Sequence, residues 1–221
     1  MSEFAAGPAG RIERVRALMV ERGYDAIVVR DEANLRWLTG VKGVFDYTFE
    51  FPHAAFITAD QCLFHTDSRY LNSFEENTPA GSPWVYDMDE GTIPGWVAGK
   101  IAANKCRVCA VEDDMQINFY QGIQRGLEDR SVACMLPLMH DDIRKMRAIK
   151  DAEEIELMRH AQSITDAAFQ HMLGFIKPGM TEKQVRNELE NFMFANGADS
   201  LAFGSIVASG PNGAAPHSIA G

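Results

Sequence analysis

The six histidines are the residues of this chain best suited to binding a metal or moving a proton near neutral pH. Three of them lie in stretches predicted as strand edges or loops, with no set of ligands nearby: His53, His65 and His140. Glu156 and His160 are four residues apart on a predicted helix, and His171 lies about three turns further along the same face. A metal site needs further ligands, whereas a solvated i,i+4 pair needs none, so we predict such a pair.

The sixth histidine, His217, follows a turn signal and differs in kind from the others. The stretch "LAFGSIVAS" is typical of a strand, and the "GPNG" after it predicts the turn of a β-hairpin. His217 would then lie at the tip or on the return of that hairpin, where an imidazole can shuttle protons or bind an anionic intermediate. A histidine on a surface loop fits the same pattern, and both interpretations stay open.

The four cysteines include one CxxC pair, formed by Cys106 and Cys109 in "CRVC". Such a pair can be a redox motif or half of a zinc site, but the sequence contains no second CxxC. Because "KCRVCAVED" is typical of a buried strand, the two side chains should point to opposite faces. We therefore predict that the cysteines are small apolar side chains in a reducing compartment.

Composition and motif content exclude several classes of function. Acidic residues outnumber basic ones by 31 to 21, for a formal net charge of -10, which argues against a nucleic-acid partner. No segment reaches the roughly 20 apolar residues of a membrane span. The N-terminus lacks the apolar run of a signal peptide, so we expect a cytoplasmic protein with no membrane partner. The sequence also contains no G-x-S-x-G elbow, Walker A loop or G-x-G-x-x-G motif after a strand.

Helix and strand signals alternate over the first part of the chain, up to about residue 140. The helix predicted for "RIERVRALMVERG" has apolar residues at helical spacing, namely Ile12, Val15, Leu18 and Met19. Strands are predicted for "DAIVVR", "PWVYDM", "RVCAVED" and "VACMLP", with two more in "HAAFITADQCLFHTD"; helices are predicted for "PGWVAGKIAANK" and "INFYQGIQRGL". This alternation predicts an α/β domain with a largely parallel or mixed sheet.

The pattern changes near Asp141, after which two long helices are predicted. Each begins with the spacing of a capping box: Asp151 with Glu154, and Thr181 with Gln184. Both helices carry an apolar stripe, formed by Ile155, Met158, Ala161, Ala168 and Met172 on the first and by Val185, Leu189 and Phe192 on the second. Because the order helix, helix, strand and turn differs from that of the first part, we predict two domains, at 1–142 and 143–221.

Both parts of the chain also resemble known domains. The segment "RIERVRALMVERGYDAIVVRDEANLRWLTG", with "LFHTDSRYLN" downstream, is similar to the creatinase-type N-terminal domain. The segments "IRKMRAIKDAEEIELMRHAQSITDAAF", "KPGMTEKQVRNELENFMFANGAD" and "FGSIVASGPNGAAPHS" resemble the opening of the pita-bread catalytic domain of Xaa-Pro aminopeptidases, prolidases and creatinases. This resemblance, from about Arg11 to Gly221, implies an N-terminal α/β domain followed by an incomplete pita-bread α+β catalytic domain.

The resemblance implies a function and three site residues. His217 matches the family histidine that lines the active site, contacts the substrate and helps to stabilise the tetrahedral intermediate. Phe203 and Ile206 match positions that form apolar walls of the substrate pocket in prolidase-like members, although both also fit an ordinary strand core. The chain would be the N-terminal portion of a metal-dependent Xaa-Pro peptidase. Its substrate would be a peptide with proline in second position.

The same resemblance implies two divalent metal ions (Mn, Co or Zn) in the complete enzyme, held by two aspartates, a histidine and two glutamates. None of these five ligand positions lies in this sequence, so we expect no metal pair in this chain and no peptidase activity from the 221 residues alone. The family N-terminal domain usually mediates dimerisation, which implies a homodimer. Two alternatives stay open: a metal-free amidinohydrolase of the creatinase type, and a non-catalytic peptide-binding module of the same fold.

Overall fold

The structure, a computed structural model, describes residues 7–41, 52–88 and 91–221. Contacts between residues divide the chain into two compact units, Met1–Ile149 and Lys150–Gly221, just after the predicted domain boundary at 142/143. The expectation that the N-terminus carries no signal-peptide pattern rests in part on residues 1–6, which lie outside the described residues. No helix in the described ranges has the length and apolar character needed to cross a membrane.

The first unit consists of short strands and helices in alternation. Its strands are β1 (Ala26–Val29), β2 (Ala54–Thr58), β3 (Cys62–His65), β4 (Val85–Asp87) and β5 (Cys109–Val111). Its helices are α1 (Gly7–Arg22), α2 (Glu32–Thr39), α3 (Leu71–Asn77), α4 (Ile93–Ala103), α5 (Ile117–Glu128) and α6 (Asp142–Ala148). The sequence signals predicted the five strands and helices α1, α4 and α5, but not the short helices α2 and α3.

The strands form one mixed sheet in the order β4-β3-β2-β1-β5. Strand β2 is antiparallel to β1 and β3, whereas β1 with β5 and β3 with β4 are parallel pairs. A parallel connection needs a crossover long enough to return to the same edge, and α3 lies in the crossover from β3 to β4. The prediction of an α/β domain with a mixed sheet is confirmed.

Strand β1 separates two apolar cores. All four of its residues are fully buried, and their period of two places Ile27 and Val29 in one core and Ala26 and Val28 in the other. Helix α1 buries its whole predicted apolar stripe, which consists of Ile12, Val15, Leu18 and Met19. Helices α4 and α5 contribute apolar side chains to the second core. They can pack closely because residue 126 is a glycine, since a Cβ added there would lie only 2.7 Å from the Cβ of Ala98.

Two sequence expectations about the end of this unit are wrong. Cys106 and Cys109 do not point to opposite faces, because β5 begins only at Cys109 and both side chains join the same apolar core. The stretch "VACMLP" does not form a strand of the sheet. Met135 makes only an isolated bridge to Val108, and Leu138, the residue after this stretch, makes one to Val111.

The second unit is built on two capped helices, α7 (Ala152–Phe175) and α8 (Glu182–Ala195). Both predicted capping boxes are present, with Asp151 and Glu154 at the start of α7 and Thr181 and Gln184 at the start of α8. The predicted stripe of α7 is buried only in its second half, at Ala168 and Met172, together with Ile164. Its first half is exposed, by 39% at Ile155 and by 58% at Met158.

The predicted strand and β-hairpin near the end of the chain are wrong. Residues 201–209 have no regular secondary structure, and Gly210–Ala214 forms a short 3-10 helix in place of a hairpin turn. A strand requires a neighbour to receive its backbone hydrogen bonds. No strand among the described residues pairs with 201–209, so the apolar alternation of that stretch has no sheet to join.

Candidate functional site

His217 lies beyond the 3-10 helix in a segment without regular secondary structure, and its side chain is exposed. Its backbone is left-handed, with φ of 61°, a conformation that few residues other than glycine adopt. Such a conformation costs free energy and persists only where neighbouring structure holds it. The chain around His217 therefore needs an anchor.

That anchor is the carboxylate of Glu182, the first residue of α8. Oε1 accepts hydrogen bonds from the amide of Ser209 at 2.6 Å, from the Ser209 hydroxyl at 3.2 Å and from Nδ2 of Asn212 at 3.3 Å. Oε2 accepts one from Nδ2 of Asn212 at 3.2 Å and one from the amide of Gly221 at 3.0 Å. Next to it, the amide of Lys183 donates to the carbonyl of Gly221 at 3.0 Å.

These hydrogen bonds favour the ionised form of Glu182. The side chain is only 8% exposed, yet the backbone amides of Gly221 and Ser209, with the Asn212 side chain, lower the pKa of its carboxyl group to about 2. The position at the N-terminus of a helix also favours a negative charge. Glu182 is therefore a carboxylate over the whole physiological pH range.

Phe203 and Ile206, the two predicted pocket-wall residues, lie in the irregular segment before the 3-10 helix. Their side chains are 73% and 47% exposed, so they are not in a packed core. Among residues 91–221, no hydrogen bond or ring contact joins either of them to His217. The three predicted site residues thus lie in one stretch of chain and present exposed side chains.

The described residues do not fit a metal pair. Across residues 7–41, 52–88 and 91–221 there is no group of three or more histidine, cysteine, aspartate or glutamate side chains that could hold an ion. Side-chain contacts show how two of the helical metal-ligand candidates, Glu156 and His171, are engaged. The Arg159 guanidinium donates to Oε1 of Glu156 at 2.5 Å, and Nε2 of His171 lies 2.6 Å from Oε1 of Glu188 on α8. Among the described residues no hydrogen bond or ion pair joins Glu156 to His160, so the predicted pair is not formed.

A second polar cluster lies in the first unit, where the carboxyl ends of the parallel strands β1 and β5 meet. Glu112 follows β5 and is 5% exposed. It accepts hydrogen bonds from the amides of Arg30 and Asp31, at 2.5 and 2.7 Å, and from Nδ2 of Asn34 at 2.7 Å. Arg147 of α6 donates in turn to Oδ1 of Asn34 at 2.8 Å.

Burial dominates the electrostatics of this cluster. It raises the pKa of Glu112 to about 7, against the opposing effect of the three N–H donors that face its oxygens. Glu112 also lines a cavity of about 350 Å³ together with other acidic side chains and two arginines: Asp31, Asp113, Asp114, Asp141, Asp142, Arg144 and Arg147. The hydrogen bonds that Glu112 accepts connect the end of β5 to the loop before α2 and to α2 itself, which is a structural role.

The cysteines take no part in a site. Cys62, Cys106, Cys109 and Cys134 are all free thiols. Burial raises the pKa of Cys62 and of Cys106 to about 11, which keeps both protonated and poor as nucleophiles or metal ligands. They behave as the small apolar side chains that the sequence predicted.

Sequence reasoning missed Glu182 although it found the residues on either side of it. The capping box identified Thr181 and Gln184, and a glutamate between them is an ordinary first-turn residue. Its partner Ser209 is 27 residues further along the chain, and nothing in the local pattern indicates that contact. Glu112 had one available signal, since a polar residue directly after a buried parallel strand lies at the edge where ligands and networks gather.

Two family matches cover most of the chain. Residues 11–149 match the Creatinase/Prolidase N-terminal domain, and residues 156–221 match Metallopeptidase family M24. An uncharacterized peptidase of Bacillus subtilis, YqhT, is 30% identical over 217 residues, which are 95% of this chain and 56% of that protein. The match therefore extends through both units.

Solved structures agree with the sequence matches. The Xaa-Pro dipeptidase from Bacillus anthracis is 31% identical, with a TM-score of 0.80 over 96% of this chain and 56% of that one. The X-Pro aminopeptidase from Thermotoga maritima is 27% identical, with a TM-score of 0.77 over 95% of this chain and 56% of that one. This chain spans about half the length of these proteins. It belongs to the creatinase/prolidase family, with a Creatinase/Prolidase N-terminal domain followed by part of an M24 pita-bread domain.

Proposed function

We propose that this chain is the N-terminal portion of a Xaa-Pro peptidase, an enzyme that hydrolyses the peptide bond before proline. The observation that carries the proposal is the match to the Xaa-Pro dipeptidase from Bacillus anthracis, 31% identical over 96% of this chain. It spans both units in the same order, so the likeness is not limited to a shared N-terminal domain. The substrate class is a peptide with proline in second position.

His217 is the catalytic residue we propose within this chain. Its exposed imidazole stands on an anchored segment, where it can donate a hydrogen bond to the negative charge that develops on the carbonyl oxygen during hydrolysis. Phe203 and Ile206 have exposed apolar surface in the same stretch, which suits them to contact a proline ring. A carboxylate from a part of the enzyme outside this sequence would act as the general base.

Two divalent ions (Mn, Co or Zn) are part of this proposal for the complete enzyme. The described residues contain no group that fits them, and the family resemblance leads us to propose that their ligands come from outside this sequence. The 221 residues by themselves are expected to be inactive. A cytoplasmic homodimer and a catalytic domain that starts near residue 143 complete the proposal.

The test uses the full polypeptide encoded by the reading frame that contains this sequence. Purified protein is assayed on Xaa-Pro dipeptides and on matched Xaa-Ala dipeptides, for the wild type, His217→Ala and His160→Ala. We expect hydrolysis of Xaa-Pro only, a fall in kcat of about 10²- to 10³-fold for His217→Ala, and no change for the exposed helical histidine His160.

Each outcome decides a different part of the proposal. Absence of Xaa-Pro hydrolysis by the wild type would overturn the peptidase function and favour the amidinohydrolase or the binding module. Cleavage of creatine or a related guanidino compound would identify the first of these. Unchanged kcat in His217→Ala, with the wild type active, would remove His217 from the catalytic machinery.

A further inference from the structure

The segment that carries His217, residues 209–221, is anchored at its two ends and nowhere else by hydrogen bonds to the helices. At the start, Ser209 and Asn212 donate to the Glu182 carboxylate, and at the end Gly221 does. Within the segment there are only local bonds, from Asn212 to Ser209 and from Ala215 to Asn212. In the described part of the chain, residues 216–220 make no hydrogen bond.

The carboxylate of Glu182 is the one side chain that bonds to both ends of this loop, and the Lys183 amide adds one backbone bond at the Gly221 end. The two carboxylate oxygens bind different ends of the loop. Oε1 accepts a hydrogen bond from the amide of Ser209, Oε2 accepts one from the amide of Gly221, and Nδ2 of Asn212 donates to both. Fixing both ends of a flexible segment removes most of the conformations that its middle can adopt. The left-handed backbone of His217 lies in that middle and gains the constraint it needs.

The packing of the segment adds little to this constraint. Ala220 is buried, at 3% exposed, but the residues from 210 to 217 are all exposed. A buried methyl group next to Gly221 strengthens the second anchor and leaves the position of His217 to the hydrogen bonds. In the described part of the chain no hydrogen bond joins the imidazole to this carboxylate, which lies at the start of α8.

We propose that Glu182 is a positioning residue for His217, with a carboxylate that holds both ends of the 209–221 segment and so fixes where the imidazole stands. This inference deepens the proposed function and rests on it for the catalytic role of His217. The anchoring itself is a property of this chain and is tested without any enzymatic assay.

The test compares Glu182→Gln, Glu182→Ala and, as a matched control on the same helix, Glu190→Gln. Glutamine keeps one acceptor oxygen and places an NH₂ group against donors, so it should release one end of the segment. Alanine removes the acceptors for both ends and leaves only the bond from the Lys183 amide to the Gly221 carbonyl. The measurements on the 221-residue chain are amide hydrogen exchange at Ser209 and Gly221 and the NMR signals of the His217 ring. We expect exchange at least tenfold faster at one of these amides in Glu182→Gln and at both in Glu182→Ala.

The His217 ring separates positioning from a purely structural role. We expect its signals to move toward those of a histidine in a flexible peptide in both Glu182 variants, while amides in the middle of α8 keep their protection and Glu190→Gln changes nothing. If α8 unfolds in the Glu182 variants, or if the ring signals stay where they are, the proposal is wrong.

Enzyme kinetics of the full polypeptide provide a second test. With an active wild type, Glu182→Gln should lower kcat by at least tenfold with little change in KM, because the substrate still binds but the hydrogen-bond donor is misplaced. An inactive wild type would contradict the proposed function alone, since the exchange and NMR results would still decide whether Glu182 holds the segment.

Discussion

The two units of this chain treat their apolar residues in opposite ways. In the first unit the sheet has an apolar core on each face, and side chains such as Phe56, Phe64 and Ile101 are fully buried. In the second unit the buried apolar side chains of the helices are Ile164, Ala168 and Met172. Many large ones remain exposed there: Ile155, Leu157, Met158, Phe169, Leu173, Ile176, Phe194, Phe203, Ile206 and Ile219.

This difference indicates what each unit requires. A sheet covered by helices on both faces is a complete arrangement, whereas two helices packed through a narrow seam leave most of their apolar surface in water. At about 25 cal/mol per Å², each 100 Å² that stays uncovered forfeits roughly 2.5 kcal/mol of possible stabilisation. We therefore expect the first unit to be stable by itself and the second to gain stability from further protein that covers it.

The comparison is sharpest for two phenylalanines. Phe64 is fully buried, with its ring 4.5 Å from that of Phe74, whereas Phe169 is 60% exposed. Phe64→Ala should lower the free energy of unfolding of the first unit by about 3–5 kcal/mol, and Phe169→Ala should change that of the second by no more than about 0.5 kcal/mol. Urea unfolding measures both, and similar losses at the two sites would remove the contrast between the units.

The buried Glu112 should make the stability of the first unit depend on pH. Its pKa is about 7 in the folded state and 4.5 in an unfolded chain, so the folded state binds this proton more tightly. The contribution of Glu112 to the free energy of unfolding is complete below pH 4.5 and is lost as the pH rises through 7, by a total of about 3 kcal/mol. The free energy of unfolding, measured from pH 4.5 to 8, should fall with this slope in the wild type and change less in Glu112→Gln. Equal pH dependence in the two proteins would contradict the raised pKa of Glu112.

The exposed apolar surface of the second unit should cause self-association of the 221-residue chain. Leu173→Lys, on a side chain that is 63% exposed, should weaken the association constant by roughly tenfold, about 1.4 kcal/mol. The control is Val20→Lys, on α1 of the first unit, where the side chain is 84% exposed, and it should leave association unchanged. Sedimentation velocity over a range of concentrations makes the measurement. A chain that is monomeric at all of them refutes the prediction.

The smallest effects should come from the helix caps of the second unit. Thr181 accepts the amide of Gln184 at 3.2 Å and Asp151 accepts that of Glu154 at 2.9 Å. Thr181→Ala or Asp151→Ala should each cost about 1 kcal/mol, whereas Thr165→Ala in the middle of α7 should be neutral or slightly stabilising. Amide exchange in the first turn of each helix reports the loss, and equal exchange in all three variants would mean that the caps contribute nothing.

Local signals predicted the structure well where neighbours along the chain decide it. The stripe of α1, the strand "DAIVVR" and both capping boxes involve contacts within a few residues, and all are present. The strand expected at 201–209 failed because a strand depends on a distant partner, and no described strand takes that place. Cys106 was misplaced for a smaller reason, namely that β5 begins only at Cys109, three residues after Cys106.

The residues of the candidate site also differ in whether the sequence could predict them. His217, Phe203 and Ile206 were found through their resemblance to a family motif, and whether they act together in catalysis remains a prediction. Glu182 and Glu112 were not found, because each acts through bonds to residues far along the chain, 27 positions away for Ser209 and 82 for Arg30. Contacts of that range follow from the fold and not from spacing in the sequence.

The most direct test of the metallopeptidase proposal is to determine the coding sequence that follows the codon for Gly221. If this chain is the N-terminal portion of a Xaa-Pro metallopeptidase, the frame should continue for about 130–150 residues. That continuation should supply two aspartates, a histidine and two glutamates in order, together with apolar segments able to cover α7 and α8. A frame that stops at Gly221, or that continues with those five positions replaced, would contradict the metallopeptidase proposal.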